Sequence, residues 1–185
     1  MTSSQPRRWT AALLLVALAP IACAGGGEQR GGESSLPGPV PAGVSFPRED
    51  PSSPPAPEFS LTLMDGSPVR GYELWRERPV VLFFFASWCS RCIDQQVELN
   101  SVVKRMGDSV VILAIAGEDE ETDVDAFLID HEVPHAVAMD DDLMTWRSYG
   151  VREPPHVVVI AKGGRVTRGW PGVTKADAVI DTLRT

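Results

Sequence analysis

The sequence predicts an α/β fold in which a central mixed β-sheet is flanked by helices. Two apolar runs, at 80–85 and 110–116, have the composition of strands that are buried on both faces of a sheet. Residues 92–106 follow the first run and repeat apolar side chains at helical spacing. Because strands alternate with helices and two glycines at 163–164 mark a hairpin turn, the sheet is expected to close with an antiparallel pair.

The N-terminus has the pattern of an export signal. Arg7 and Arg8 precede an apolar run at 9–19, which is too short to span a bilayer comfortably as a helix. Small residues then precede Cys23, and this order resembles a bacterial lipoprotein cleavage site, at which the cysteine is acylated. An ordinary cleaved signal is the alternative. We predict a signal peptide at 1–22 and an exported protein of the bacterial cell envelope, anchored to the membrane as a lipoprotein that faces the periplasm.

Residues 24–57 have the composition of a tether, because 20 of these 34 residues are Gly, Pro or Ser. Such a segment has too few apolar side chains to build a core. The predicted organisation is a lipid-anchored tether at 23–57 and one folded domain at 58–185. The net charge of -8 falls on the folded part. An acidic chain without a basic cluster is not expected to bind nucleic acid.

The first half of the folded part predicts a hairpin, the central strand and a helix. Residues 59–63 alternate as a half-buried strand, and the turn at 65–68 leads into a short second strand. A helical turn is expected within 71–78. The helix after the central strand is expected to bury Cys92, Gln96, Leu99, Val103 and Met106.

The second half predicts three more helices. An acidic stretch at 118–125 leads into a helix that is expected to bury Val124, Phe127 and Leu128. A strand at 136–139 and a helix at 143–149, capped by aspartates 140–142, come next. Strands at 157–160 and 165–169 follow. Thr174 is expected to cap a last helix that buries Ala178, Val179 and Leu183.

A C-x-x-C motif lies at the junction between the central strand and its helix. Cys89 falls near the first helical turn, where free backbone N–H groups and the helix dipole favour a thiolate. Cys23 is the third cysteine of the chain, and it is accounted for if it carries lipid. A strand, a C-x-x-C motif and a helix in this order indicate thiol–disulfide exchange.

These residues resemble the thioredoxin superfamily, and within it the exported TlpA/ResA-type thiol–disulfide oxidoreductases. The resemblance covers residues 56–185. It rests on the segments 56–59, 65–66, 84–92, 149–155 and 164–166. It implies a thioredoxin-like fold with an N-terminal β-hairpin extension.

The resemblance also implies roles for the residues of the motif. Cys89 would be the attacking thiolate, Cys92 the resolving thiol and Pro155 a cis-proline beside the disulfide. Trp88 and Pro154 would contact the substrate. The resemblance implies no cofactor other than the redox-active disulfide, and no metal ion. The implied partners are protein thiols and disulfides and a membrane electron donor of the disulfide-reductase type, with reduction as the direction, for example in cytochrome c maturation or related thiol maintenance.

Three residues depart from the family pattern. Phe83 stands where thioredoxins keep a buried acid, Gln95 where the TlpA/ResA type often keeps a glutamate, and Arg91 where the motif usually has proline. The charge of Arg91 favours a thiolate at Cys89, whereas Gln95 takes up no proton near neutral pH. We therefore predict that Arg91 and Gln95 tune cysteine ionisation, and that the resolving cysteine lacks its familiar proton acceptors.

Two other functions are possible for the motif. A Cu(I)-binding chaperone of the same fold would use the two cysteines and His156, because soft thiolates select Cu(I), but the copper carriers of this fold prefer C-x-x-x-C. A peroxiredoxin would need threonine where Ala86 stands. His131 and His135 are interpreted as surface or loop residues. A structural zinc site is not expected, since a second C-x-x-C is absent.

Overall fold

The computed structural model describes residues 30–48 and 50–185 and contains a seven-stranded mixed sheet in the order β2-β1-β5-β4-β3-β6-β7. The strands are β1 (Ser60–Leu63), β2 (Pro68–Arg70), β3 (Val80–Phe85), β4 (Val111–Ala116), β5 (Ala136–Met139), β6 (His156–Ala161) and β7 (Arg165–Pro171). The helices are α1 (Gly71–Trp75), α2 (Ser90–Met106), α3 (Glu121–Asp130), α4 (Met144–Ser148) and α5 (Ala176–Arg184). In the part of the chain so described, no helix has the length and apolarity needed to cross a membrane.

The predicted fold class is confirmed. Strands β3, β4 and β5 run parallel, while β6 and β7 form an antiparallel pair beside β3. The hairpin β1–β2 joins the other edge through antiparallel pairing of β1 with β5. Strand β3 lies at the centre, and all six of its residues are buried, as the continuous apolar run predicts.

Helices cover both faces of the sheet. On one face, α2, α3 and α5 pack over Phe83 and Phe85, and this layer contains both cysteines of the motif. On the other face, α1 and α4 pack over Phe84. The alternation of β3 side chains between the two layers follows from the two-residue period of a strand.

The helical faces differ from the prediction by small rotations. In α2, Gln95 and Val102 are fully buried, whereas Val103 and Met106 are partly buried. Helix α3 buries the three predicted apolar side chains. Helix α5 buries Ala176, Val179, Ile180 and Leu183. It begins at Ala176, so Ala178 points partly to solvent.

The N-termini of α4 and α5 show how acidic side chains replace missing helical acceptors. Asp140 accepts hydrogen bonds from the backbone N–H groups of Thr145 and Trp146 in α4, consistent with the predicted aspartate capping. The expected Thr174 cap of α5 is wrong, since no side chain at the cap position forms the bond. Instead, the carboxylate of Glu98 in α2 accepts from the Ala176 N–H at 2.9 Å. A cap supplied by another helix leaves no signal in local sequence.

Two parts of the predicted tether are hydrogen-bonded to the sheet, while most residues between them are exposed. The backbone oxygen of Gly31 accepts a hydrogen bond from the Val137 N–H in β5 at 2.8 Å. In the edge strand β7, the Val166 N–H donates to the backbone oxygen of Pro54 at 2.9 Å. Glycine and proline cannot build an apolar core, but their backbone carbonyls still bind to strands. The predicted signal peptide and Cys23 lie outside the described residues.

Candidate active site

Cys89 and Cys92 form a disulfide at the N-terminus of α2, with their Cα atoms 5.3 Å apart. Cys89 is the residue immediately before the helix, and Cys92 lies in its first turn. Cys89 retains 6% of its surface exposed, whereas Cys92 is completely buried. A partner can therefore approach Cys89 more readily than Cys92, and the roles of attacking and resolving thiol stay predictions.

The loop that leads into the motif is attached to the loop after β4. The Ser87 hydroxyl donates to Oδ1 of Asp119 at 2.7 Å, and the Ser87 N–H donates to Oδ2. The Trp88 indole N–H donates to the backbone oxygen of Glu118 at 3.0 Å. Even so, 61% of Trp88 is exposed. The indole is thus held in place while its ring stays available for contact, as expected for a residue that touches the substrate.

The predicted cis-proline is present, since the Pro154–Pro155 peptide bond is cis. The guanidinium of Arg91 donates to the backbone oxygen of Pro154 at 3.4 Å, which brings this loop against the motif. The backbone oxygen of Pro155 accepts from the Gly172 N–H at 2.8 Å. Neither proline has a backbone N–H, and both carbonyls have partners. The loop therefore offers a docked strand few free main-chain groups.

Gln95 is buried, and both the oxygen and the nitrogen of its amide form a hydrogen bond. Its Oε1 accepts from the Thr174 N–H at 2.7 Å, and its Nε2 donates to the Thr174 oxygen at 3.2 Å. These bonds connect α2 to the segment before α5. The predicted influence of Gln95 on cysteine ionisation stays a prediction, and the structure adds a second role in packing.

The core around the buried cysteine is apolar. Phe83 is fully buried in the same layer as Cys92 and stacks on Phe85, with ring centroids 5.2 Å apart. Asp119 is the carboxylate that contacts the lead-in loop of the motif, and the sequence analysis missed it by assigning 118–125 only as the acidic entry to a helix. Its position three residues after the end of β4 was the available signal, because the carboxyl ends of neighbouring parallel strands meet at one edge of a sheet.

His156 lies on the opposite side of the sheet from the cysteines. It is paired with Phe84 across the strands, and their rings meet edge to face with centroids 6.3 Å apart. Phe84 belongs to the layer under α1 and α4, so His156 does not approach the motif, and the copper alternative would have only the two cysteines as ligands. Partial burial lowers the pKa of His156. Among the described residues, no three His, Cys, Asp or Glu side chains are grouped to hold a metal ion.

His135 lies in the loop before β5, as one of the two interpretations expects, but it is buried and is not a surface residue. Only 3% of it is exposed. Its Nδ1 lies 3.2 Å from the backbone oxygen of Ala136 and its Nε2 lies 3.0 Å from Nε2 of Gln96. These contacts suit the neutral tautomer with the proton on Nδ1, since Gln96 can then donate to Nε2. Burial lowers the pKa of His135 to about 4.

Comparison with known proteins places this geometry among thiol–disulfide proteins. Residues 53–181 match the AhpC/TSA family. The thiol-disulfide oxidoreductase ResA of Bacillus cereus (strain ATCC 10987 / NRS 248) is 25% identical over 130 residues, which cover 70% of this chain and 75% of that protein.

Two solved structures are similar over most of the folded part. The pneumococcal exposed lipoprotein thioredoxin of Streptococcus pneumoniae strain TIGR4 is 28% identical, with a TM-score of 0.61 over 69% of this chain and 98% of that chain. A thiol:disulfide interchange protein of the thioredoxin family from Chlorobium tepidum TLS is 22% identical, with a TM-score of 0.64 over 74% and 100% of the two chains. The thioredoxin-like fold is thereby confirmed.

Proposed function

The chain belongs to the AhpC/TSA family, and from this membership and the Cys89–Cys92 site we propose that it is a thiol–disulfide oxidoreductase acting on protein thiols and disulfides. The predicted resemblance to the TlpA/ResA type is confirmed by the relatives. The proposal rests on one observation above all: a partly exposed Cys89 at a helix N-terminus is bonded to a fully buried Cys92.

The reaction follows from this asymmetry. In the reduced protein, the Cys89 thiolate attacks one sulfur of a substrate disulfide, forms a mixed disulfide and releases the first substrate thiolate. Cys92, after losing its proton, attacks the Cys89 sulfur, which closes the intramolecular disulfide and releases the second substrate thiolate. Two electrons pass to the substrate, and the two protons of the dithiol balance its two new thiols. The reverse sequence oxidises a substrate.

The direction is proposed to be reduction. The resemblance to TlpA/ResA-type proteins supports it, and a membrane electron donor of the disulfide-reductase type would then restore the dithiol. Cytochrome c maturation or related thiol maintenance is the process proposed. Equilibration with glutathione or dithiothreitol tests this point. A potential near or below that of thioredoxin, about −270 mV, is expected, while a value near that of the oxidant DsbA, about −120 mV, would contradict reduction.

The location is proposed to be the outer side of a bacterial membrane, with lipid on Cys23. Its support is the order of charged, apolar and small residues before this cysteine. Wild type and Cys23→Ala should be expressed in a bacterial host and separated into membrane and soluble fractions. Membrane association of the wild type and its loss in the variant are expected, and identical partition of the two would exclude the anchor.

A direct test of the activity uses insulin reduction with dithiothreitol as the electron source. The wild type should accelerate it, and Cys89→Ser should abolish the acceleration. Hydrogen peroxide serves as the comparison substrate, because a peroxiredoxin would consume it. The position that its T-x-x-C motif would fill with threonine holds the buried Ala86, so no appreciable peroxide turnover is expected.

A further inference from the structure

We propose that Asp119 is a positioning residue for the active-site loop and that its carboxylate disfavours the Cys89 thiolate. The proposal rests on the proposed disulfide exchange at Cys89 and deepens it. Asp119 holds the loop in the geometry in which Cys89 reacts. Its charge also makes the dithiol a better electron donor, as a reductant requires.

Both carboxylate oxygens of Asp119 accept hydrogen bonds from Ser87. Oδ1 accepts from the Ser87 hydroxyl at 2.7 Å, and Oδ2 accepts from the Ser87 N–H. Oδ1 also accepts from the Glu120 N–H at 3.2 Å. Ser87 lies two residues before Cys89, and the Cys89 N–H closes the intervening turn by donating to Ala86 at 3.1 Å. The carboxylate therefore fixes the start of the turn that ends at the reactive sulfur.

The loop that presents Asp119 is itself held firmly. Strands β3 and β4 are paired up to Phe85 and Ala116, and the Gly117 N–H extends the pairing by donating to the Phe85 oxygen at 3.2 Å. A Cβ atom at Gly117 would lie 2.6 Å from the Trp146 ring, so the backbone is pressed against α4. Together with the indole bond of Trp88 to Glu118, this makes the two loops one unit.

The negative charge of Asp119 counteracts the groups that stabilise the Cys89 thiolate. The N-terminus of α2 and the guanidinium of Arg91 favour a thiolate, while a nearby carboxylate disfavours it. Asp119 is partly buried, which reduces screening of its charge by solvent. The charged side chains of the loops beside the motif are Glu118, Asp119, Glu120, Arg152 and Glu153, and the first turns of α2 add Arg91, Asp94 and Glu98, the last of which is paired with Lys175. Of these, Asp119 is the one bonded to the lead-in loop.

The redox consequence follows from the balance of the reaction. The dithiol gives up two electrons and two protons when it becomes the disulfide. Any group that destabilises the thiolate raises the free energy of the reduced protein wherever that thiolate is populated, and thereby lowers the reduction potential. Asp119 should thus shift the equilibrium with glutathione toward the protein disulfide, which means a stronger reductant.

The test replaces Asp119 with asparagine, which keeps the contacts and removes the charge. The Asn oxygen can accept from the Ser87 N–H, and its NH₂ group can donate to the Ser87 hydroxyl. The pH profile of Cys89 alkylation by iodoacetamide should move to lower pH by about 0.5–1 unit. The equilibrium with glutathione near pH 8 should favour the dithiol about three- to tenfold more than in wild type. Asp119→Ser is measured in parallel in case Asp119→Asn does not fold.

The matched control is Glu120→Gln, on the same loop and with the same loss of charge. The Glu120 side chain makes no hydrogen bond to the motif, so we expect a clearly smaller shift of the pH profile of Cys89 alkylation. Ser87→Ala keeps the charge and loses one bond, so it should slow insulin reduction without moving the pH profile. An unchanged profile in the folded Asp119 variant, or an equal shift in Glu120→Gln, would overturn the proposal. If the wild type fails to reduce insulin, the proposed function fails, but the alkylation profiles still report on Asp119.

Discussion

Gln95 and Thr174 form a closed pair of hydrogen bonds between two segments that are 79 residues apart in the sequence. The amide of Gln95 uses one acceptor and one donor, and a neutral carboxylic acid offers the same pattern. A glutamate at this position can therefore fit, but only with its proton in place. The hydrogen bonds to Thr174 therefore determine whether a glutamate at position 95, the proton acceptor that TlpA/ResA-type proteins often have, can be accommodated.

Gln95→Glu should accelerate insulin reduction near pH 7. Burial raises the pKa of the new carboxyl group toward neutral pH, so the fraction that is ionised near pH 7 can accept the proton of Cys92, and such help is typically worth about 10²–10⁴-fold. Because the folded-state pKa lies above the unfolded one, the variant should match wild-type stability near pH 4 and lose stability as pH rises. Thermal unfolding at both pH values and turnover give the readouts. Gln95→Met is the control, and no gain over wild type in Gln95→Glu would refute the prediction.

Limiting iodoacetamide should label Cys89 in preference to Cys92 in the reduced protein. The exposed fractions of 6% and 0% and the place of Cys89 before the helix both favour it. Peptide mapping by mass spectrometry measures the ratio. Predominant label on Cys92 would reverse the roles of attacking and resolving thiol.

Pro154→Thr should broaden substrate use. The variant gains a backbone N–H beside the motif, which can donate to a docked peptide strand. One net hydrogen bond is worth roughly 0.5–1.5 kcal/mol, or up to about tenfold in affinity. The KM values for a set of unrelated disulfide peptides should fall while kcat stays close to wild type. Glu153→Gln, a change at the exposed neighbour, is the control, and unchanged KM values in Pro154→Thr would contradict the role of this position.

His135 should make the protein less stable as pH falls from about 6.5 to about 4. The unfolded chain binds a proton near the ordinary value of 6.5, whereas burial lowers the folded-state pKa to about 4. Protonation therefore favours the unfolded state across this interval, by roughly 3 kcal/mol in total. Urea unfolding at several pH values should show a flatter dependence in His135→Gln. A smaller slope remains from His156, whose pKa is also lowered.

The control for that experiment is His131→Gln, at a partly exposed position. This variant should show the same dependence of unfolding free energy on pH as the wild type. Equal slopes in wild type and His135→Gln would show that His135 does not titrate as its burial requires.

Gly31→Ala should lower the melting temperature more than Gly43→Ala. Both glycines have positive φ, at 74° and 82°, so both substitutions introduce similar backbone strain of about 1–2 kcal/mol. A Cβ at Gly31 would lie 2.9 Å from Leu128, whereas nothing lies within 4 Å of one at Gly43. The difference in melting temperature between the two variants therefore measures how much the docking of residues 30–37 stabilises the protein. Equal melting temperatures would mean that this segment is detached in solution.

Local sequence patterns predicted the elements that depend on near neighbours. The bounds of β3, the three buried residues of α3 and the helix start at the motif all follow from periodicity and capping within a few residues. The missed features join distant segments. Asp119 binds Ser87 across 32 residues, and Gln95 binds Thr174 across 79.

Such pairs depend on which strand ends meet and on how helices pack. A few neighbouring residues of the sequence predict neither. The burial of His135 is a similar case, because Gln96 in α2 supplies the polar partner that allows it. The docking of the segments around Gly31 and Pro54 was missed for a different reason. This docking depends largely on backbone hydrogen bonds, and the amino-acid composition of a segment does not predict whether its backbone forms them.

The hydrogen bond between Gly31 and Val137 limits how far an anchored domain can travel. A free tether over 24–57 could extend about 105 Å. With Gly31 bound to the sheet, only residues 24–30 separate it from Cys23, and at the same rise per residue they span about 22 Å. If Cys23 carries lipid as proposed, the volume that the domain can sample shrinks roughly a hundred-fold, and the local concentration of partners embedded in the same bilayer rises accordingly. The protein would then carry out thiol–disulfide exchange only close to the membrane surface.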